Sequence, residues 1–165
     1  MLTQSATAAF WLLIFSTPVA LFAAWSDLRE MRIPNLSVIA LILVYTVVGF
    51  LTLPLHVWGW SWLHFAVVLV VGFALNLTGG FGAGDAKFAA AMAPFIAIGD
   101  LLLFLMLLCA VVLASFVAHR ALGAIPAIRR ATPHWASWQR REFPFGLALG
   151  PALIFYLGLA CLDGR

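Results

Sequence analysis

Six apolar stretches, at positions 8–25, 36–53, 60–78, 86–98, 101–118 and 143–162, alternate with short polar breaks along the chain. A helix needs about 20 mostly apolar residues to cross a hydrocarbon core. Each stretch is therefore read as a transmembrane helix, although 86–98 is short and 143–162 carries Pro144 and Pro151. Gly99-Asp100 is the sole polar break between the fourth and fifth stretches and reads as a tight outer turn. The pattern predicts an all-α integral membrane protein, a bundle of about six transmembrane helices forming a single membrane-embedded domain over 1–165. A five-span alternative joins 86–118 into one re-entrant element.

Composition agrees. Hydrophobic residues make up 65% of the chain, charged residues 9%, and the mean hydropathy is +1.09. A soluble fold of 165 residues could not bury that much apolar surface. The first stretch lacks a preceding basic residue and is long for a secretory signal, so it is expected to be a retained span. Cys109 and Cys161 lie inside apolar stretches, with neither CxxC nor Cys/His clustering, and read as small core residues; no metal site or cofactor is expected. No internal repeat of fixed period is visible.

Charge orients the bundle. Arg29, Arg32, Lys87, Arg120, Arg129, Arg130, Arg140 and Arg141, eight of nine basic residues, fall in the first, third and fifth loops. The positive-inside rule makes those loops cytoplasmic and sends both termini outside. The net charge of +3 and pI near 9.4 thus reflect membrane orientation rather than nucleic-acid binding. The polar stretch 119–142 reads as a loop resting on anionic headgroups, its tryptophans at the interface, with substrate or partner contact as the other reading.

Only six acids interrupt this chain. Asp27, Glu30, Asp85 and Glu142 fall at the cytoplasmic face, and Asp100 and Asp163 at the outer one. The six- and five-span readings both place Asp27 and Asp85 on the same side, because the first three spans decide it. An acid at a membrane is costly and marks a functional-site candidate, and two on one face suggest a dyad sharing a proton. The bland reading of Asp27 is an interfacial acid paired with Arg29 or Arg32. After it, Pro34 pushes Ile33 out of helical geometry and Asn35 is placed to cap the next helix. Asp85 follows Gly79-Gly80-Phe81-Gly82-Ala83-Gly84, four glycines in six residues, which allow close backbone approach. Its bland reading is a helix-capping acid, with Lys87 an interfacial anchor. The glycines match neither GxxxxGK[ST] nor GxGxxG, which argues against a nucleotide site. Because 86–98 is short, Asp85 is expected in a partly dry recess that favours its neutral form. Glu30, three residues beyond Asp27, is a weaker substitute for the first acid; Glu142 sits beside neutralising arginines. Asn76 and Thr78 either orient the site or hydrogen-bond neighbouring helices.

In chain order, Asp27-Leu28-Arg29-Glu30-Met31-Arg32-Ile33-Pro34-Asn35, then Gly82-Ala83-Gly84-Asp85-Ala86-Lys87, then Pro144-Phe145-Gly146 resemble the type IV prepilin peptidase family of GxGD membrane aspartyl proteases. The resemblance covers nearly the whole chain. It implies that Asp27 and Asp85 are the catalytic pair, with Arg29, Ile33, Pro34, Asn35, Gly82, Gly84 and Lys87 as supporting residues. It implies a prepilin- or pseudopilin-like membrane substrate, whose short basic leader is cut off on the cytoplasmic side of an inner membrane, and association with pilus or secretion machinery. Long members carry a zinc-binding cysteine insertion and often a methyltransferase activity. The first loop here is about ten residues without cysteine, so peptidase activity alone is expected, as in the short peptidases of tight-adherence (Flp-type) pili, with archaeal preflagellin peptidases also similar.

Two other classes compete. A small transporter would use the acids to carry ions or protons, but midplane acids and repeat symmetry are missing. A non-enzymatic assembly subunit would merely pair them with arginines.

Overall fold

The computed structural model describes residues 2–164. Helix α1 spans Ala6–Glu30 and begins at Ser5, whose hydroxyl accepts the Ala8 amide at 3.4 Å. It ends where Met31 turns left-handed (φ 53°) and donates its N–H to the Asp27 carbonyl at 2.9 Å. Pro34, extended at φ −64° and ψ 141°, then starts α2, Asn35–Thr52, which contains one π turn over Tyr45–Gly49. The remaining helices are α3 (Leu55–Leu77), α4 (Ala83–Met92), α5 (Leu101–Gly123), α6 (Pro126–Ala131) and α7 (Gly146–Asp163). Among the described residues there is no strand, and five helical stretches are long and apolar enough to cross a membrane.

The fourth apolar stretch departs from a simple span. Helix α4 stops at Met92, and the chain continues through 3-10 turns at Ala93–Phe95 and Ile98–Asp100. Pro94 explains the stop, because it supplies no N–H and its ring clashes with the preceding turn. The broken segment still links the two ends of the bundle. Its start packs beside the loop after α1, with Gly84 against the Ile33 backbone, while Asp100 meets the residues ahead of α1. The region 119–142 also carries more structure than a plain loop, namely α6 and a 3-10 turn at Ala136–Trp138.

The core combines fully buried large side chains, among them Tyr45, Tyr156, Phe88 and Phe95, with close helix approach at small residues. α1 packs most extensively against α7. Ala20, Ala23, Ala148 and Ala152 are fully buried there, and a Cβ on Gly150 would come within 2.6 Å of the Ala20 carbonyl oxygen. Small residues let backbones meet in lipid, where packing rather than water exclusion joins helices. Gly72 does the same for α3 and α4, leaving 3.0 Å to the Ala86 methyl. Large apolar side chains such as Leu51, Val70, Leu102 and Leu162 point outward, as a bilayer solvent permits.

At one end, Asp100 ties the bundle together. Its carboxylate accepts from the Thr3 amide at 2.7 Å, the Thr3 hydroxyl at 2.8 Å, the Gln4 amide at 3.0 Å and the Tyr156 hydroxyl at 2.9 Å. The Tyr156 oxygen in turn accepts the Ala97 amide at 3.0 Å, and the Leu2 amide donates to the Asp163 carbonyl at 3.1 Å. Asp100 is thus remote from Asp27 and Asp85, which lie at the opposite end with the basic loops.

Candidate active site

Asp27 sits in the last turns of α1 with only 5% of its surface exposed. Its Oδ2 accepts the Gly146 amide at 2.7 Å, where α7 begins. Two local features bring this about. Pro144 and Phe145 precede the helix, leaving the Gly146 N–H directed at the carboxylate rather than at a preceding turn. Gly146 also has no side chain, and a Cβ there would lie 3.0 Å from Asp27 Cβ, Asp27 Oδ2 and Ile33 Cδ1. Among the described residues Asp27 makes no ion pair. Arg29 instead approaches Glu30 at 3.9 Å and stacks over Trp25 at 5.1 Å.

Asp85 occupies the first turn of α4, outside the five long helices, and is half-buried. Its carboxylate takes a hydrogen bond from the Gly82 backbone, an acid at N3 reaching back to the N-cap amide. The capping role is therefore real, and it aims the carboxylate. A Cβ on Gly82 would fall 2.5 Å from Asp85 Oδ2, so only glycine leaves that space free. Burial first, and the neighbouring charge of Asp27 second, push the Asp85 carboxyl up from 3.8 to about 7, against the opposing pull of the Gly82 bond.

Both acids open into one cavity of about 560 Å³. Asn76, the glycines 79, 80 and 82, Glu142 and Phe145 share its walls. Asn76 donates to the Phe81 carbonyl at 2.7 Å and so fixes the glycine loop, in which Gly79 is left-handed at φ 76°. Phe81 meets Phe145 edge to face at 5.3 Å, joining that loop to the start of α7. A carboxyl pair that includes the raised Asp85, in a recess at the end of an apolar bundle, can bind a water between an acid and a base.

The other sequence candidates sort as follows. Ile33 is buried and packs on Gly84 and near Gly146; Pro34 ends the turn. Asn35 is the first residue of α2 rather than its cap, and its Oδ1 accepts Lys87 Nζ at 3.4 Å. Arg29 and Lys87 lie outside the cavity wall, as does Glu30, which is exposed and faces Arg29. Thr78 bonds its own helix at Leu75. Sequence reasoning did not single out Met31 or Arg140 on the wall, nor the Gly146 amide as the Asp27 partner. The run Pro144-Phe145-Gly146, a helix start following a proline, was the available signal for the last.

No curated protein and no solved structure matches the chain. A family model does, over residues 9–118, two thirds of the sequence and both acids included. That model is the type IV leader peptidase family. With five long apolar helices and this match, the chain is a multi-pass membrane protein and belongs to the type IV leader peptidase family.

Proposed function

We propose that this peptidase is of the aspartic type and removes the short basic leader of type IV prepilin-like precursors, of the Flp class, at the cytoplasmic face of the inner membrane. The observation that carries this reading is the opening of Asp27 and Asp85 into one cavity. One carboxylate, ionised, takes a proton from the bound water as its oxygen attacks the scissile carbonyl carbon. The other, protonated, gives its proton to the carbonyl oxygen. Collapse of the resulting gem-diol breaks the C–N bond, and the departing amine takes a proton from the pair. The two acids titrate as a unit, so the roles belong to the dyad. The basic residues gathered at this end support a cytoplasmic orientation. The short link from α1 to α2, without cysteine, supports the Flp-type assignment and peptidase activity alone.

The test is cleavage of a co-reconstituted Flp-type prepilin by wild type, Asp27→Asn and Asp85→Asn, read as a mass shift. Asparagine keeps an oxygen to accept the Gly146 or Gly82 amide, so both variants are expected to fold. Leader loss with wild type and with neither variant is the expected result. An intact prepilin with folded wild type, or full activity in either variant, overturns the reading.

A further inference from the structure

Residues 119–142 lie beyond the part of the chain matched by the family model, yet they enclose a cavity of their own. About 280 Å³ in volume, it is walled by His119, Arg120 and Gly123 from the end of α5, Arg129 from α6, and Ser137 and Trp138 from the following turn. His119 is 3% exposed and Ser137 1% exposed. Neither ring nitrogen of His119 has a hydrogen-bond partner, and neither does the Ser137 hydroxyl. The ring faces are satisfied, since Trp138 stacks on the imidazole at 4.7 Å and Phe143 meets it edge-on at 6.0 Å. Its polar edge is not.

Buried unpaired polar atoms are few in folded proteins, and each costs a desolvation penalty. Three of them on one cavity wall call for an occupant. Charge selects it. The Arg120 guanidinium is held by the Arg141 carbonyl at 3.0 Å and that of Arg129 by the Trp138 carbonyl at 3.5 Å. Each keeps further N–H donors free, and no acid lines the wall. The carboxyl end of α5 would by itself repel an anion, but its last carbonyls already accept the Ala124 and Ile125 amides.

We propose that this cavity binds a phosphoryl group, with Arg120 and Arg129 supplying charge and Ser137 and His119 hydrogen bonds. Two sources share that chemistry, the headgroup of an anionic membrane lipid and free phosphate. The stacked Trp135 and Trp138 beside it, 5.8 Å between centroids, suit the membrane–water interface and favour the lipid.

The experiment uses the whole protein in maltoside micelles, with native mass spectrometry and calorimetry. The probes are dihexanoyl phosphatidylglycerol, dihexanoylglycerol (the same chains without phosphate) and inorganic phosphate. One phosphatidylglycerol bound per protein, no binding of dihexanoylglycerol, and a tenfold or greater weakening by Arg129→Gln and by Ser137→Ala are expected. Competition by inorganic phosphate at comparable affinity would support the site with free phosphate as its ligand. Equal binding of the two lipids, or variants that bind like wild type, would overturn the proposal. Arg129 is exposed on α6, whereas Ser137 is buried and loses only its hydroxyl in Ser137→Ala, and a thermal melt checks that each variant folds. His119→Phe, which preserves the stack and removes the ring nitrogens, is the third arm.

Discussion

Gly146→Ala isolates the positioning of Asp27 from its chemistry. The added methyl would sit 3.0 Å from Asp27 Cβ, Asp27 Oδ2 and Ile33 Cδ1, where ordinary contacts begin at 3.4 Å. Asp27 is held on a buried helix turn and Ile33 by Gly84, so the carboxylate end must yield by about 0.4 Å or more. A misplacement of 1 Å costs roughly 100-fold in rate, which makes 0.4 Å worth about sixfold. The 2.7 Å bond from the Gly146 amide weakens as well, and a hydrogen bond to a charged group contributes about 1.5–3 kcal/mol. Together these predict a 10- to 100-fold fall in the rate of leader removal. Overpacking alone costs about 1–3 kcal/mol of stability, which a melt in detergent would register as a modest drop. Gly158→Ala in the same helix is the control, because a Cβ there meets nothing within 4 Å. Rates are measured on co-reconstituted prepilin by mass spectrometry. If Gly146→Ala cleaves within twofold of wild type while Gly158→Ala does the same, the amide contact does not position a catalytic acid.

Four further outcomes are expected. Gly82→Ala places a methyl 2.5 Å from Asp85 Oδ2; being at an exposed N-cap it should lower cleavage about tenfold or more, with a melting temperature close to wild type. Because Asp85 titrates near 7, the dyad keeps its proton below that pH and loses it above, so cleavage should fall as pH rises through about 7; a rate that keeps climbing to pH 9 would contradict the assignment. The same raised value means that this group's contribution to stability is fully present below 3.8, the ordinary carboxyl value, and is lost as pH rises through about 7. Asp100→Ala removes the acceptor of four donors, of which the Gln4 amide and the Tyr156 hydroxyl are buried; at about 1–3 kcal/mol for each buried group left unpaired it should lower stability by about 2–6 kcal/mol, read by thermal unfolding.

What could be read from the sequence follows a physical division. Hydropathy is local and strong, so the long helices and the two acids were visible in the chain. The stop at Met92 was not, because Pro94 sits in a run that is apolar throughout and hydropathy is blind to backbone geometry. Likewise, the last helix begins at Gly146 rather than 143, after Pro144. The Asp27–Gly146 contact joins residues 119 apart, and no local pattern announces such a pair. A trace existed nonetheless: Gly146-Leu147-Ala148-Leu149-Gly150 is a GxxxG run, and Ala20 and Ala24 repeat small residues at the same spacing on α1. Read together, they would have predicted the helix pair that holds the site.

The pairing of first and last helices sets a timetable for biogenesis. Asp27 enters the membrane early, but the amide it accepts lies 119 residues later. At a synthesis rate of about 5–20 residues per second, roughly 6–24 s separate the two. Throughout that interval α1 carries an unmatched small-residue face, and the pocket has only part of its wall. Under the proposed dyad, a chain truncated before α7 lacks the amide that holds Asp27 and is expected to leave prepilin uncut.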